Sequence, residues 1–234
     1  GLLFFQAFTG INTVVFYSTT IFSLAGFSQA IIGSACWSLL NVVMTAVAAR
    51  LIDSAGRRVL LLRGTAVMLV ALIILAAVLL SDHISTKTQG DIAVMAVLIY
   101  VAGYAVSLGA VPWTVISEIM PNRPRVKAVS VFMSINWCAN LLIGLLTLTA
   151  INGLGDVRSG MDDDAKSKAE TKGVGYLYLI FGIITACSFL FVQFLVPETK
   201  GKSPDQLNKP LLRTAGDDER LSLIPNDDRK NYAQ

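Results

Sequence analysis

Histidine is almost missing from this chain. His83 is the only one in 234 residues, which argues against a His-built metal centre or a Ser-His-Asp triad. Charge is also scarce, at 15% of residues against roughly 25% in a soluble domain. The net charge of +3 is small and scattered, so the chain carries no electrostatic footprint for nucleic acid. Cysteine occurs three times, as Cys36, Cys138 and Cys187, each within an apolar stretch and without disulfide or metal spacing. No long apolar stretch holds a central His, Asp or Glu. An enzyme working inside a membrane would need such an acid–base pair, an activated nucleophile or a metal, so the sequence predicts a protein that is not an enzyme, with no cofactor and no metal.

Apolar length is what the chain has in abundance. Six runs, at about 2–25, 30–51, 59–80, 92–119, 128–151 and 174–196, are each long enough for a helix to cross a bilayer core of roughly 30 Å, which takes about 20 residues. The fold expected is therefore an all-α membrane protein with six transmembrane helices and the lipid bilayer as its surroundings. The chain opens GLLFFQ, with neither an initiator methionine nor a charged leader, and is read as a fragment or an incomplete gene model.

The loops give an orientation. Arg50, Arg57 and Arg58 gather after the second run, and Arg123, Arg125 and Lys127 after the fourth. The loops after the third and fifth runs mix acids with bases. Positive charge marks the cytoplasmic side, so the two basic loops, the first run's start and the C-terminal tail are expected there. After Leu207 the sequence turns polar and charged, and residues 208–234 read as a disordered cytoplasmic tail.

Polar residues inside the runs are the candidate functional groups, because an amide facing lipid is costly. The first run carries Gln6 and Asn12 about 120° apart on a regular helix, so one cavity receives both only if it is wide or if the helix loosens near Gly10. Asn41 lies mid-span in the second run, one turn after Trp37. In the fourth, GAVPW places Trp113 beside Pro112, where a bend is expected. In the fifth, Asn136 and Asn140 share a face with Trp137 between them. Aromatic plates among neutral amides suit an uncharged polyhydroxy ligand better than a phosphate or an ion. A second group lies at the inner helix ends: Asp53, Arg57 and Arg58 around a turn at Gly56, then Glu118, Arg125 and, after the last run, Glu198. Carboxylates beside arginines there suggest an ion-pair latch, since orientation alone asks for no acids.

These residues resemble the C-terminal half of a sugar porter of the major facilitator superfamily, similar to facilitative glucose transporters. The likeness runs over residues 1–207 through QAFTGIN, D-x-x-GRR at 53–58, GAVPW with E-x-x-PNRPR at 109–125, NW-CAN and PETKG. It implies a twelve-helix carrier whose N-terminal six-helix half is missing here, a multi-pass protein of the plasma membrane moving a hexose or related polyol by alternating access. It assigns substrate contacts to Gln6, Asn12, Asn41, Trp113 and Asn136, and a cytoplasmic gate to Asp53, Arg57, Arg58, Glu118, Arg125 and Glu198. Ala7, Val15 and Ala105 stand where many members have a glutamine, an aromatic and an acid, which bears on which sugar is taken. A transporter-like sugar sensor without net flux is the alternative, although the 27 residues after Leu207 are short for a signalling tail.

Overall fold

A computed structural model of the chain describes residues 1–15, 30–81, 85–119, 122–156 and 162–196. These contain α1 (Leu2–Phe8), α2 (Ala30–Ala55), α3 (Arg57–Leu80), α4 (Thr86–Tyr104), a π-helical turn (Ala105–Gly109), α5 (Val111–Ile119), α6 (Asn122–Leu154) and α7 (Asp163–Leu195). Five segments are long and apolar enough to span a bilayer: Ala35–Ile52, Arg57–Leu80, Lys87–Glu118, Lys127–Leu154 and Lys168–Leu195. The predicted first span is described only over its first part, so its full length lies outside the described residues.

α3 is the centre. It packs along both α7 and α4 and buries Leu61, Met68, Leu72 and Leu75 completely. Many large apolar side chains elsewhere stay open, among them Leu39 and Val42 on α2 and Leu141 and Leu145 on α6. Such surface is costly in water and at home against acyl chains or another apolar helix bundle.

Backbone irregularities occur where the sequence marks them. The first run stops being helical at Thr9 and Gly10, and resumes over 11–15. Gly10 has φ 86°, and a Cβ there would run into the Phe181 ring of α7, so only glycine fits both the dihedral and the contact. Gly56, with φ 91°, makes the one-residue turn between α2 and α3 that the GRR loop predicts. The fourth run is one long span broken by a π-helical turn three residues before Pro112. Proline removes one N–H and crowds the carbonyl four residues back, and the wider π turn relieves that crowding.

One expectation is corrected. The mixed-charge stretch between the fifth and sixth runs reads as a loop, but α7 already begins at Asp163, well before the apolar run at 174–196. The stretch AKSKAETK is rich in good helix formers, and its polarity prevents it from registering as an apolar run.

In a bilayer each orphaned carbonyl costs several kcal/mol, so helix ends need partners. Gln89 Nε2 donates to the Val78 carbonyl at 2.8 Å, at the C-terminal end of α3. Tyr100 OH donates to the Thr9 carbonyl at 2.9 Å, where the first run breaks.

Candidate substrate site and inner latch

Four amides form one directional chain. Gln6 Nε2 donates to the Leu108 carbonyl at 2.8 Å and lies 3.5 Å from that of Gly109. Asn136 Nδ2 donates to the Leu3 carbonyl at 3.1 Å and to Gln6 Oε1 at 3.3 Å. Asn140 Nδ2 donates to Asn136 Oδ1 at 3.0 Å, and Asn12 Nδ2 to Asn140 Oδ1 at 2.8 Å. The break at Gly10 lets Gln6 and Asn12 reach opposite ends of the same i, i+4 pair on α6, although a regular helix would turn them well apart. Below Asn12, Thr13 and Thr147 share a hydroxyl hydrogen bond of 3.0 Å, a second tie between the first run and α6.

The anchor of the chain follows from Pro112. In an α-helix the N–H of residue 112 would bond the carbonyl of 108, and proline has no N–H to give. Gln6 takes that acceptor instead. Gln6 and Asn136 are buried, while Asn12 and Asn140 are half-buried at the more open end. Asn140 was paired with Asn136 by spacing, but its role as the link to Asn12 had no sequence signal, because it depends on how α1 meets α6.

The remaining candidates divide. Trp113 is half-buried on α5, one turn beyond the Gly109 carbonyl. Asn41 joins none of these bonds among the described residues; the Thr45 hydroxyl, one turn on, donates to its backbone carbonyl at 2.8 Å. Trp137 is 70% exposed and takes no part in the amide chain among the described residues, since it lies about 100° around α6 from Asn136.

Arg57, at the start of α3, meets Glu118, near the end of α5. Arg57 Nη2 and Nε reach Glu118 Oε1 at 2.7 and 3.1 Å, and Arg57 Nη1 donates to the Ile52 carbonyl at 3.0 Å. Arg58 donates through Nη2 to the Gln193 carbonyl of α7. α7 ends at Leu195, so the Gln193 carbonyl in its last turn has no intrahelical donor, and the arginine supplies one. The two adjacent arginines, at the start of α3, thus reach the last turns of α2, α5 and α7, where carbonyl dipoles favour positive charge. The side chains of Asp53 and Arg125, and Glu198 with the tail 208–234, lie outside the described residues.

The spans fit a helical membrane protein, and the comparisons with known proteins decide the family. A family model described as "Sugar (and other) transporter" matches residues 1–210. The chain belongs to the sugar transporter family. It is 33% identical over 214 residues to the facilitated trehalose transporter Tret1 of Bombyx mori, a match covering 90% of this chain and 39% of that protein. Its identity to the facilitated glucose transporter member 3 of solute carrier family 2 from Oryctolagus cuniculus is 31%, covering 94% and 40%. The proton:xylose symporter XylE bound to 6-bromo-6-deoxy-D-glucose superposes with a TM-score of 0.71 at 28% identity, covering 89% and 41%. The chain spans about two fifths of the length of these relatives. This sugar transporter chain is a multi-pass integral membrane protein with the major facilitator helical fold.

Proposed function

We propose that this chain is the C-terminal six-helix half of a twelve-helix carrier that moves a hexose or related polyol across the plasma membrane by alternating access, with its tail in the cytoplasm. The observation that carries the reading is the neutral chain Gln6–Asn136–Asn140–Asn12, which puts several hydrogen-bonding groups at membrane depth with no formal charge among them. Gln6, Asn12 and Asn136 hold the sugar there. Trp113, beside the proline break, offers a ring for its apolar face, and Asn41 contributes from α2. Arg57, Arg58 and Glu118, with Asp53, Arg125 and Glu198, close the cytoplasmic side when the cavity opens outward.

Exposure supports the place of the missing half. Only 11% of the α2 span and 6% of the α6 span is buried, against 50% and 56% for the third and fourth. The N-terminal six helices cover α2 and α6, and the sugar lies between the halves, next to Asn41 and Asn140. The test is tracer uptake by the full-length parent in liposomes, with a panel of sugars and polyols. Uptake of at least one supports the reading, and folded protein with none refutes it.

A further inference from the structure

Between α3 and α7 the packing leaves a groove. Leu69, Leu72 and Ile73 of α3 and Leu179, Gly182 and Ile183 of α7 line a volume of about 280 Å³. Its floor is open because residue 182 is a glycine: a Cβ there would meet nothing nearer than the Leu72 Cβ, at 4.0 Å. Ile73 and Ile183 form the rims and are 52% and 65% exposed, so the groove opens to the surroundings of the bundle.

Depth and lining together select the occupant. Ala71 and Gly182 stand nine and eight residues from the nearer ends of their apolar stretches, Leu80 and Val174. At 1.5 Å per residue that is about 13 Å inside a hydrocarbon core of roughly 30 Å, beyond the reach of a lipid headgroup. Tyr178 is the one polar side chain in the lining, and it is fully buried. An apolar cavity of this kind stays dry, and left empty its walls would forfeit dispersion contacts. What the bilayer supplies at this depth is hydrocarbon.

A second helix fits less well. Gly182 and Ala186 are four residues apart, the spacing of a small-residue helix crossing. The β-branched rims at Ile73 and Ile183 would nevertheless hold a cylinder about 10 Å across away from Gly182. A single flexible chain passes between them.

We propose that this groove is a lipid site, holding one acyl chain of a bilayer phospholipid between α3 and α7 over Gly182. The chain completes the packing of α3 against α7 from the lipid side. The site stands on the spans alone and does not depend on which solute is carried.

The experiment reconstitutes the full-length parent in vesicles of palmitoyl-oleoyl phosphatidylcholine, a small fraction of it bearing a diazirine towards the end of one acyl chain. Light expels N2 and leaves a carbene that inserts into a neighbouring C–H bond, and peptide mass spectrometry locates the adducts. Val70 of α3 and Ile180 of α7, 57% and 42% exposed at similar depth but outside the groove, are the references. Adducts at Ile73 and Ile183 should exceed those at the references by about five-fold or more. Gly182→Leu fills the floor and should bring them to the reference level. Gly182→Ala, whose methyl has room to fold in, should reduce the excess if the leucine variant does not elute folded. Equal labelling at all four positions in the unsubstituted protein would mean passing contact with bulk lipid, and would overturn the site. An excess unchanged in the folded variants would place the chain elsewhere and overturn it for this groove. Ile73 and Ile183 labelled less than the references would show a protein surface over the groove, and loss of the excess on adding cholesterol would give it to a sterol. Either result overturns the acyl chain.

Discussion

Gln6 Nε2 lies 2.8 Å from the Leu108 carbonyl, the acceptor that Pro112 leaves without its helical donor. A comparable tie joins Arg58 to the Gln193 carbonyl, which lies in the last turn of α7 and has no intrahelical donor. In each case a long side chain from another helix fills an open backbone acceptor. At membrane depth the Gln6 bond joins helices where water cannot substitute.

A coupling between residues 6 and 112 follows. Gln6→Ala should destabilise the folded carrier by about 1–3 kcal/mol, because a buried acceptor loses its partner. Pro112→Ala restores an N–H for Leu108, so the cost of Gln6→Ala should fall in that background. A double-mutant cycle of thermal unfolding in detergent checks this. Strictly additive effects would show that the two residues do not share the carbonyl.

The tryptophans separate by position, since only Trp113 sits beside the proline break. Trp113→Ala should lower sugar affinity by about one to two decades, as expected for losing stacking and one hydrogen bond. Trp137, 70% exposed, and Trp37, half-buried against the core away from the break, should change sugar affinity little when replaced by alanine. Competition binding at matched surface expression decides, and equal effects at all three would make Trp113 a packing residue.

The Arg57 and Glu118 side chains are 13% and 25% exposed, so solvent and salt partly screen their attraction. Glu118→Gln should weaken the latch by about 1 kcal/mol or less. If the latch closes the outward-open state, the variant reduces transport while a ligand of the inward-open site binds as well or better. Cysteine accessibility from the two sides reads the population, and an unchanged ratio would leave these charges as helix caps and topology signals.

Gly10→Ala should be among the most damaging single substitutions. Its φ of 86° costs an L-residue about 1 kcal/mol or more, and the added methyl strikes the Phe181 ring. Phe181→Ala should recover only the steric part. Folded yield by size exclusion chromatography gives the answer, and full recovery would mean the dihedral is not strained.

Much of the architecture is legible in the chain. Apolar length marks the spans because a bilayer sets a minimum for any helix that crosses it. Gly56 and Pro112 announce a turn and a break because their backbones permit and forbid particular geometries. The helical start of α7 is not legible, since Asp163 to Gly173 is polar and carries no apolar periodicity to mark it.

By itself, then, the sequence determines that this is a helical membrane protein of the sugar transporter type, and which residues are polar at depth. Only the tertiary structure decides what those residues do to one another. Gln6 and Asn12 point apart on a regular helix, and the positive φ of Gly10 brings both onto one face of α6. Trp137 and Asn140 look equally suited to line a cavity until packing turns one outward and the other toward Asn12. Composition and spacing act along the chain, whereas the polarity of the amide chain comes from two carbonyls, one on Leu3 and one on Leu108, that meet it from different helices.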